Sequence, residues 1–238
     1  MKSGRYRLRR VIGVLSTFIL VALWVITNPE SYQPEKSQAS SNASAESQDA
    51  PLVITILETL PIKGRAPKTG YKRTEFYDTW PIIDGCSLRQ RIIKREVGDS
   101  AKLDGCDVVA GTFTEAYTGE TREYKTKAEF SKNIQIDHIV ALSDAWQKGA
   151  QNLTKEKRYE LATDPLNLIA ADGPANQQKS DGDAATWLPK NKAFRCQYVA
   201  RQVSVKSKYE LWVTQAEHDA IARVLTNCPD EKTVGLGK

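Results

Sequence analysis

Two histidines occur in the 238-residue chain, and their settings differ. His138 follows Asp137 at the close of Ile134-Gln135-Ile136-Asp137-His138, where apolar and polar residues alternate as in a strand. His218 falls on a helix face that reads as solvated. A neutral imidazole, with an ordinary pKa near ~6.5, accepts a proton at ambient pH without perturbation. Asp137 and, further along, Asn167 and Asn176 carry oxygen atoms suited to a hard cation or to bracing a loop, and Lys179 carries a charge of its own. Proton transfer assisted by a cation is the chemistry these types can do together. An isolated Asp-His pair is common and usually structural, so the elements around it decide.

Those elements read as strand, strand, helix. After the strand ending in His138 comes an irregular excursion with short helices at 143–150 and 155–162, the second closing before Pro165. A brief apolar run at 166–170 follows, then a turn at Asp172-Gly173 and a helix that opens with Pro174 and carries Asn176 and Lys179. This arrangement resembles the HNH, or His-Me finger, nuclease superfamily with its ββα-metal core, in the branch with Asp-His on the first strand and Asn in place of the last histidine. The residues that carry it are Asp137-His138-Ile139-Val140, Asn167 and Asn176-Gln177-Gln178-Lys179-Ser180-Asp181. More narrowly, Asp164-Pro165-Leu166-Asn167-Leu168, the run from Gly173 to Lys179 and that from Asp183 to Pro189 are similar to secreted bacterial HNH-type proteins related to the C-terminal nuclease domain of GmrSD-type restriction endonucleases. The likeness extends from about Cys86 to Cys228. Ala141 departs from it, standing where that family often has Pro, which bears on loop stiffness more than on chemistry.

The resemblance implies a metal-dependent endonuclease acting on DNA, with RNA as a further substrate. His138 would be the base that activates water. Asp137 and Asn176 would offer oxygen to one divalent ion, Mg²⁺ first, with Mn²⁺ or Ca²⁺ as substitutes. Asn167 would brace the loop between the strands and orient His138 through hydrogen bonds, and Lys179 would meet a phosphate oxygen. No organic cofactor is implied, and the oligomeric state is left open. One geometric difficulty stands: neighbours on an ideal strand point to opposite faces, so the strand must bend or end at Asp137-His138.

Around this core the sequence predicts a mixed α+β fold with extra helices: one at 88–97 behind the capping box Ser87 to Gln90, two strands within 107–124 turning at Thr118-Gly119, and helices near 191–204 and 215–226. The last of these opens with a second capping box, Thr214 to Glu217. Arg195, Arg201, Lys206 and Lys208 read as a solvated face, with tracking of a nucleic-acid backbone as the alternative. Trp146, Trp187 and Trp212 read as packing residues, with base stacking as the alternative.

Charge places the chain rather than describing its surface. The net charge is +5, and Lys2, Arg5, Arg7, Arg9 and Arg10 supply all of it, leaving 29 basic and 29 acidic residues in the body. That basic start precedes an uncharged run at 11–26, the order of a secretory signal or an uncleaved membrane anchor within 1–27. Residues 28–50, rich in Ser, Ala and Gln, read as a flexible linker, 51–228 as the nuclease domain and 229–238 as a loose tail. An extracytoplasmic location follows, secreted or anchored at the outer face of the membrane. In such a compartment Cys86, Cys106, Cys196 and Cys228 read as two disulfides; of three connectivities, pairing of nearest neighbours, Cys86 with Cys106 and Cys196 with Cys228, is favoured. Zinc competes weakly, for the chain has no Cys-x-x-Cys. The rival functions are a non-catalytic cell-surface binding protein on the same scaffold and a hydrolase of another envelope substrate. Non-reducing peptide mapping is expected to find two intramolecular disulfides; four free thiols would reverse the compartment.

Overall fold

The computed structural model describes residues 50–236. The expected signal or anchor at 1–27 and the linker, apart from Ala50, lie outside the described residues. Helix α1 (Val53–Leu57) is followed by the short strands β1 (Ile82–Ile83) and β2 (Cys86–Ser87), then α2 (Leu88–Val97), β3 (Lys102–Asp104), β4 (Asp107–Thr114), β5 (Thr121–Tyr124) and α3 (Lys127–Asn133). The second half runs β6 (Ile134–His138), α4 (Leu142–Gln147), α5 (Lys155–Thr163), β7 (Leu168–Asp172), α6 (Gly173–Lys179), α7 (Arg195–Lys208) and α8 (Gln215–Leu225). The order is mixed α+β.

Strands β6 and β7 pair antiparallel, Ile134 opposite Asp172 and His138 opposite Leu168. Because strand side chains alternate, this pair serves two cores at once. Ile134, Ile136, Leu168 and Ala170 join Leu88, Ile92, Val108 and Phe130 on one face. Ile169 and Ala171 join Tyr117, Tyr198, Val203 and Ile221 on the other. A third cluster packs Phe76 and Trp146 with Leu161, Val205 and Leu211 beneath α4 and α5.

Local signals explain most boundaries. Ser87 Oγ caps α2 by accepting from the Gln90 N–H at 3.3 Å. Asp172 Oδ2 accepts from the Ala175 N–H at 3.3 Å, and Pro174 sits in the first turn of α6. Helix α4 stops at Gln147, short of the expected 150, because Gly149 adopts φ +121° and a Cβ there would lie 3.2 Å from the Trp212 ring. Strand β7 starts at Leu168 rather than 166, since 164–168 is a turn in which the Asn167 N–H donates to Asp164 O at 2.9 Å. The expected helix near 191–204 is a short 3₁₀ turn, Lys192–Phe194, leading into α7, which continues to Lys208. Elements α1, α3 and β1 to β3 were not foreseen.

Both disulfides join the favoured partners, Cys86 to Cys106 and Cys196 to Cys228, with Cα atoms 5.4 and 6.3 Å apart. The C-terminal segment departs from the loose tail expected. Leu52 bridges to Lys232, the Thr233 N–H donates to Pro51 O at 3.0 Å, and the Val234 N–H donates to Ser204 Oγ at 2.9 Å.

Of the basic residues of α7 only Lys208 is solvated as expected; Arg201 and Lys206 are buried and Arg195 is half-buried. Arg201 is buried and donates to Leu166 O and Leu168 O, each at 2.8 Å, while Arg195 Nε donates to Pro189 O at 2.7 Å. Lys208 pairs with Asp164 at 2.7 Å. Lys206 and Lys148 are fully buried in an ionic cluster. Lys148 Nζ lies 2.8 Å from Asp144, 2.7 Å from Asp183 and 2.6 Å from Glu217, and Lys206 Nζ lies 3.0 Å from Glu217. Arg65 reaches in to Asp144 and Asp183 at 2.9 and 2.8 Å, so three cations meet three carboxylates. Glu217 is therefore no return arm of a capping box, although Thr214 still caps α8 through the Glu217 N–H. Burial alone would raise the Asp183 carboxyl, but Lys148 and Arg65 outweigh it and hold it well below the usual range.

Removing one member of a buried charge set costs more than the set contributes, because its partners are left uncompensated. Lys148→Met is thus expected to destabilise the domain by about 3–5 kcal/mol, read from the urea midpoint with both disulfides intact. A midpoint unchanged from the parent would show that water reaches these carboxylates.

Candidate functional site

Asp137, His138 and Asn176 line one cleft of about 330 Å³, together with Lys68, Arg73 and Asp181. Its floor is the end of β6 and its wall the first turns of α6. The ladder stops at His138, and beyond it the Ile139 N–H donates to Asn167 O at 2.8 Å. Ending the strand there resolves the alternation problem: Asp137 turns toward Tyr117 and Lys179, His138 toward α5, and both still reach the cleft.

Helix α5 fixes the imidazole. Its last carbonyls have no partner within the helix, and the chain cannot continue helical into Pro165. The Ala162 carbonyl O lies 2.9 Å from His138 Nε2. A carbonyl only accepts, so Nε2 carries the hydrogen and Nδ1 keeps the lone pair. Trp80 lies near-parallel to the ring, centroids 6.2 Å apart, and Tyr77 adds a tilted contact at 6.0 Å. The imidazole is only 4% exposed. Burial, then the charges of Arg73 and Lys179, lower its pKa to about 3, against a favourable contribution from the Ala162 bond. The expected unperturbed value is therefore replaced by a strongly depressed one, and the ring is neutral at ambient pH.

The Asn167 side chain makes no hydrogen bond to His138. Its Oδ1 accepts from the Val140 N–H at 2.8 Å and its Nδ2 donates to Leu161 O at 3.2 Å. It thereby ties the chain leaving β6 to the end of α5, one residue from the carbonyl that sets the tautomer. The bonds lie in the loop between the strands that Asn167 was expected to brace, and the hydrogen bond expected to the imidazole is absent among the described residues.

Lys179 does not face a phosphate. Its Nζ is buried, 3.0 Å from Asp137 Oδ2 and 2.8 Å from the His138 carbonyl O. The Tyr117 hydroxyl donates to Asp137 Oδ2 at 2.6 Å, and burial first and Asp137 second raise the Tyr117 pKa well above its ordinary value, so it remains a donor. A carboxylate has about four lone-pair sites. Tyr117 and Lys179 fill those of Oδ2, Lys179 approaches Oδ1 at 3.2 Å, and one site on Oδ1 is left. Asn176 Nδ2 donates to Gln135 Oε1 at 2.8 Å, which leaves its Oδ1 unengaged by any described residue. One oxygen from each residue, on a polar cleft open to water, suits a hard divalent ion that keeps most of its hydration.

Tyr117, the Ala162 carbonyl, Lys68 and Arg73 were not anticipated as parts of the site. Only a helix forced to end before Pro165 hinted at the Ala162 carbonyl; the others come from remote segments without a local signal. Cys196, Cys228 and Glu231 lie close enough for shared ligation, but both sulfurs are in the disulfide.

Comparison with known proteins places these residues in a nuclease-like domain. Residues 92–224, more than half of the chain, match the family described as GmrSD restriction endonucleases, C-terminal domain, and the chain belongs to that family. It is also similar to a protein of Arthroderma benhamiae described as an uncharacterized secreted protein, 31% identical over 214 residues, which cover 88% of this chain and 97% of the relative. No solved structure matches.

Asn167→Ala strips partners from a buried N–H and a buried carbonyl, a loss of about 1–3 kcal/mol. The imidazole ¹⁵N spectrum should show a single Nε2–H tautomer of His138 in the parent and a mixture in the variant. Identical spectra would separate Asn167 from the site.

Proposed function

We propose that the chain is an extracytoplasmic, divalent-metal-dependent endonuclease of the HNH type, in which β6, β7 and α6 form the ββα core and phosphodiesters of DNA, with RNA second, are hydrolysed. The observation that carries this reading is the fixed tautomer of His138: a neutral imidazole held through Nε2, on a residue that lines one cleft with Asp137 and Asn176.

In this reading His138 Nδ1 accepts the proton of the attacking water, and the Ala162 carbonyl takes up part of the charge that develops on the ring through Nε2–H. Protonation is opposed by burial and by Arg73 and Lys179. A bound phosphodiester brings negative charge that offsets Arg73, so the base gains strength when substrate is in place. Asp137 and Asn176 would hold one Mg²⁺, with Mn²⁺ or Ca²⁺ as substitutes. When bound, the ion supplies neutralisation of charge on the scissile phosphate and the leaving oxygen. Lys179 anchors Asp137, and Tyr117 fixes the rotamer that presents Oδ1.

Extracytoplasmic location is supported by two disulfides and by the description of the fungal relative as secreted. Among the described residues no helix is long and apolar enough to cross a membrane, and the segment 11–26 proposed as signal or anchor lies outside them.

The purified chain is expected to nick supercoiled plasmid with Mg²⁺ and to stop with chelator. His138→Ala should abolish nicking without unfolding the domain, although its melting midpoint falls because the buried ring and its bond to the Ala162 carbonyl are lost. Equal activity in that variant, at matched protein and metal, would remove His138 from the chemistry. Binding of DNA without any cleavage would favour the non-catalytic surface protein.

A further inference from the structure

With Lys179 buried against Asp137, the cleft needs another donor to hold a phosphate. Two cations line it, Lys68 and Arg73, and both come from the stretch between α1 and β1, ahead of the family-matched residues 92–224. Lys68 already has a counter-ion, Asp181, at 3.1 Å. Arg73 has none: among the described residues no carboxylate oxygen lies within 4.0 Å of its guanidinium, and the nearby Glu75 pairs with Arg158 instead, at 3.4 Å. Arg73 is held by a neutral group. Nε donates to the Tyr77 hydroxyl at 3.2 Å, Nη2 donates to the same oxygen, and the guanidinium carbon sits 5.1 Å from the Tyr77 ring centroid. Tyr77 is itself buried, its ring 6.0 Å from that of His138. The outcome is an exposed, uncompensated positive charge on an aromatic post beside the candidate base.

A hydroxyl partner orients a guanidinium without neutralising it. Of five N–H donors, two are engaged by Tyr77, and the remaining edge is a fork of the kind that matches phosphate oxygens. We propose that Arg73 is the phosphodiester-binding residue of this cleft, donating from its free edge to a non-bridging oxygen and holding the diester against His138, with Tyr77 as its positioning residue. The inference rests on the nuclease reading for its substrate class and assigns the contact to a segment outside the matched family span.

The test measures binding and cleavage separately on the full chain. Binding of a fluorescein-labelled DNA duplex is followed by anisotropy in EDTA across a salt series, and plasmid nicking is measured with Mg²⁺. Arg73→Ala should bind more weakly, with the slope of log K against log salt reduced by about 0.9, the share of one phosphate contact. It should nick about 10²-fold more slowly, the usual scale for losing one donor to a developing anion. Arg73→Lys should recover the salt slope and only part of the rate, because it keeps the charge and loses the fork. Tyr77→Phe should keep the slope and lose rate. Arg91→Ala, exposed and paired with Asp84, is the control expected to match the parent. An Arg73→Ala protein with the parental slope and rate overturns the proposal and leaves the nuclease reading standing. A parent that binds but never cleaves overturns that reading alone, and the slope still decides on Arg73. A parent that does neither overturns both.

Discussion

The ammonium of Lys179, buried between the Asp137 carboxylate and the His138 carbonyl, is the contact on which the site's geometry depends. A carboxylate this deep is costly unless its charge is met and its oxygens are bonded. Lys179 and the Tyr117 hydroxyl satisfy both demands, and Lys179 does so from the last turn of α6. Because Asn176 stands three residues earlier, on the same side of that helix, the ion pair that stabilises Asp137 also fixes where the Asn176 amide comes to rest. One pair joins strand end, helix and candidate ligands.

The second support is less local. Strand β7 is buried on both faces, and its first residues leave carbonyls that no ladder can satisfy. Arg201 of α7 takes Leu166 O and Leu168 O, and Asn167 bonds Val140 and Leu161. The ionic cluster of Lys148, Lys206, Arg65, Asp144, Asp183 and Glu217 then binds α4, α7, α8 and the chain after α6 into one body. Cations such as Lys148, Lys206 and Arg201, which read as surface charge in the sequence, are used internally, and Arg73 stands apart because its partner is neutral.

Legibility followed the range of the forces. Strand β6 and helix α2 were readable to the residue, since alternation and a Ser cap act within a few positions. The disulfide partners were readable from proximity in sequence. Thr214-to-Glu217 shows the limit: the spacing correctly marks a helix start, yet the Glu side chain is withdrawn to Lys148 and Lys206, which no local pattern announces. Lys179 and Arg201 were misplaced for the same reason, as a lysine or arginine that ends on a buried carboxylate or carbonyl looks identical in sequence to one in water. Residues 58–81 have no period to read, because they take their shape from remote contacts such as Arg65 with Asp183 and Trp146 Nε1 with Thr69 O. Tyr77 and Arg73 were invisible with them.

As the proposed base, an imidazole whose pKa lies near 3 is poorly matched to neutral pH, since proton transfer is most effective from groups poised near the working value. One of the causes, however, is a charge that faces the cleft. In the proposed mechanism Arg73 depresses the ring until a bound phosphodiester offsets its charge, whereas Lys179 is already met by Asp137. Burial remains, and it has a return: the aromatic walls and the Ala162 carbonyl hold one tautomer with the lone pair on Nδ1, so the ring needs no reorientation when a proton is offered. An exposed histidine with an ordinary pKa would be the stronger base in isolation and the worse aligned one. In this cleft the alignment is built into the fold, through a helix that must stop before Pro165, while in the proposed mechanism the substrate restores the part of the basicity that Arg73 suppresses.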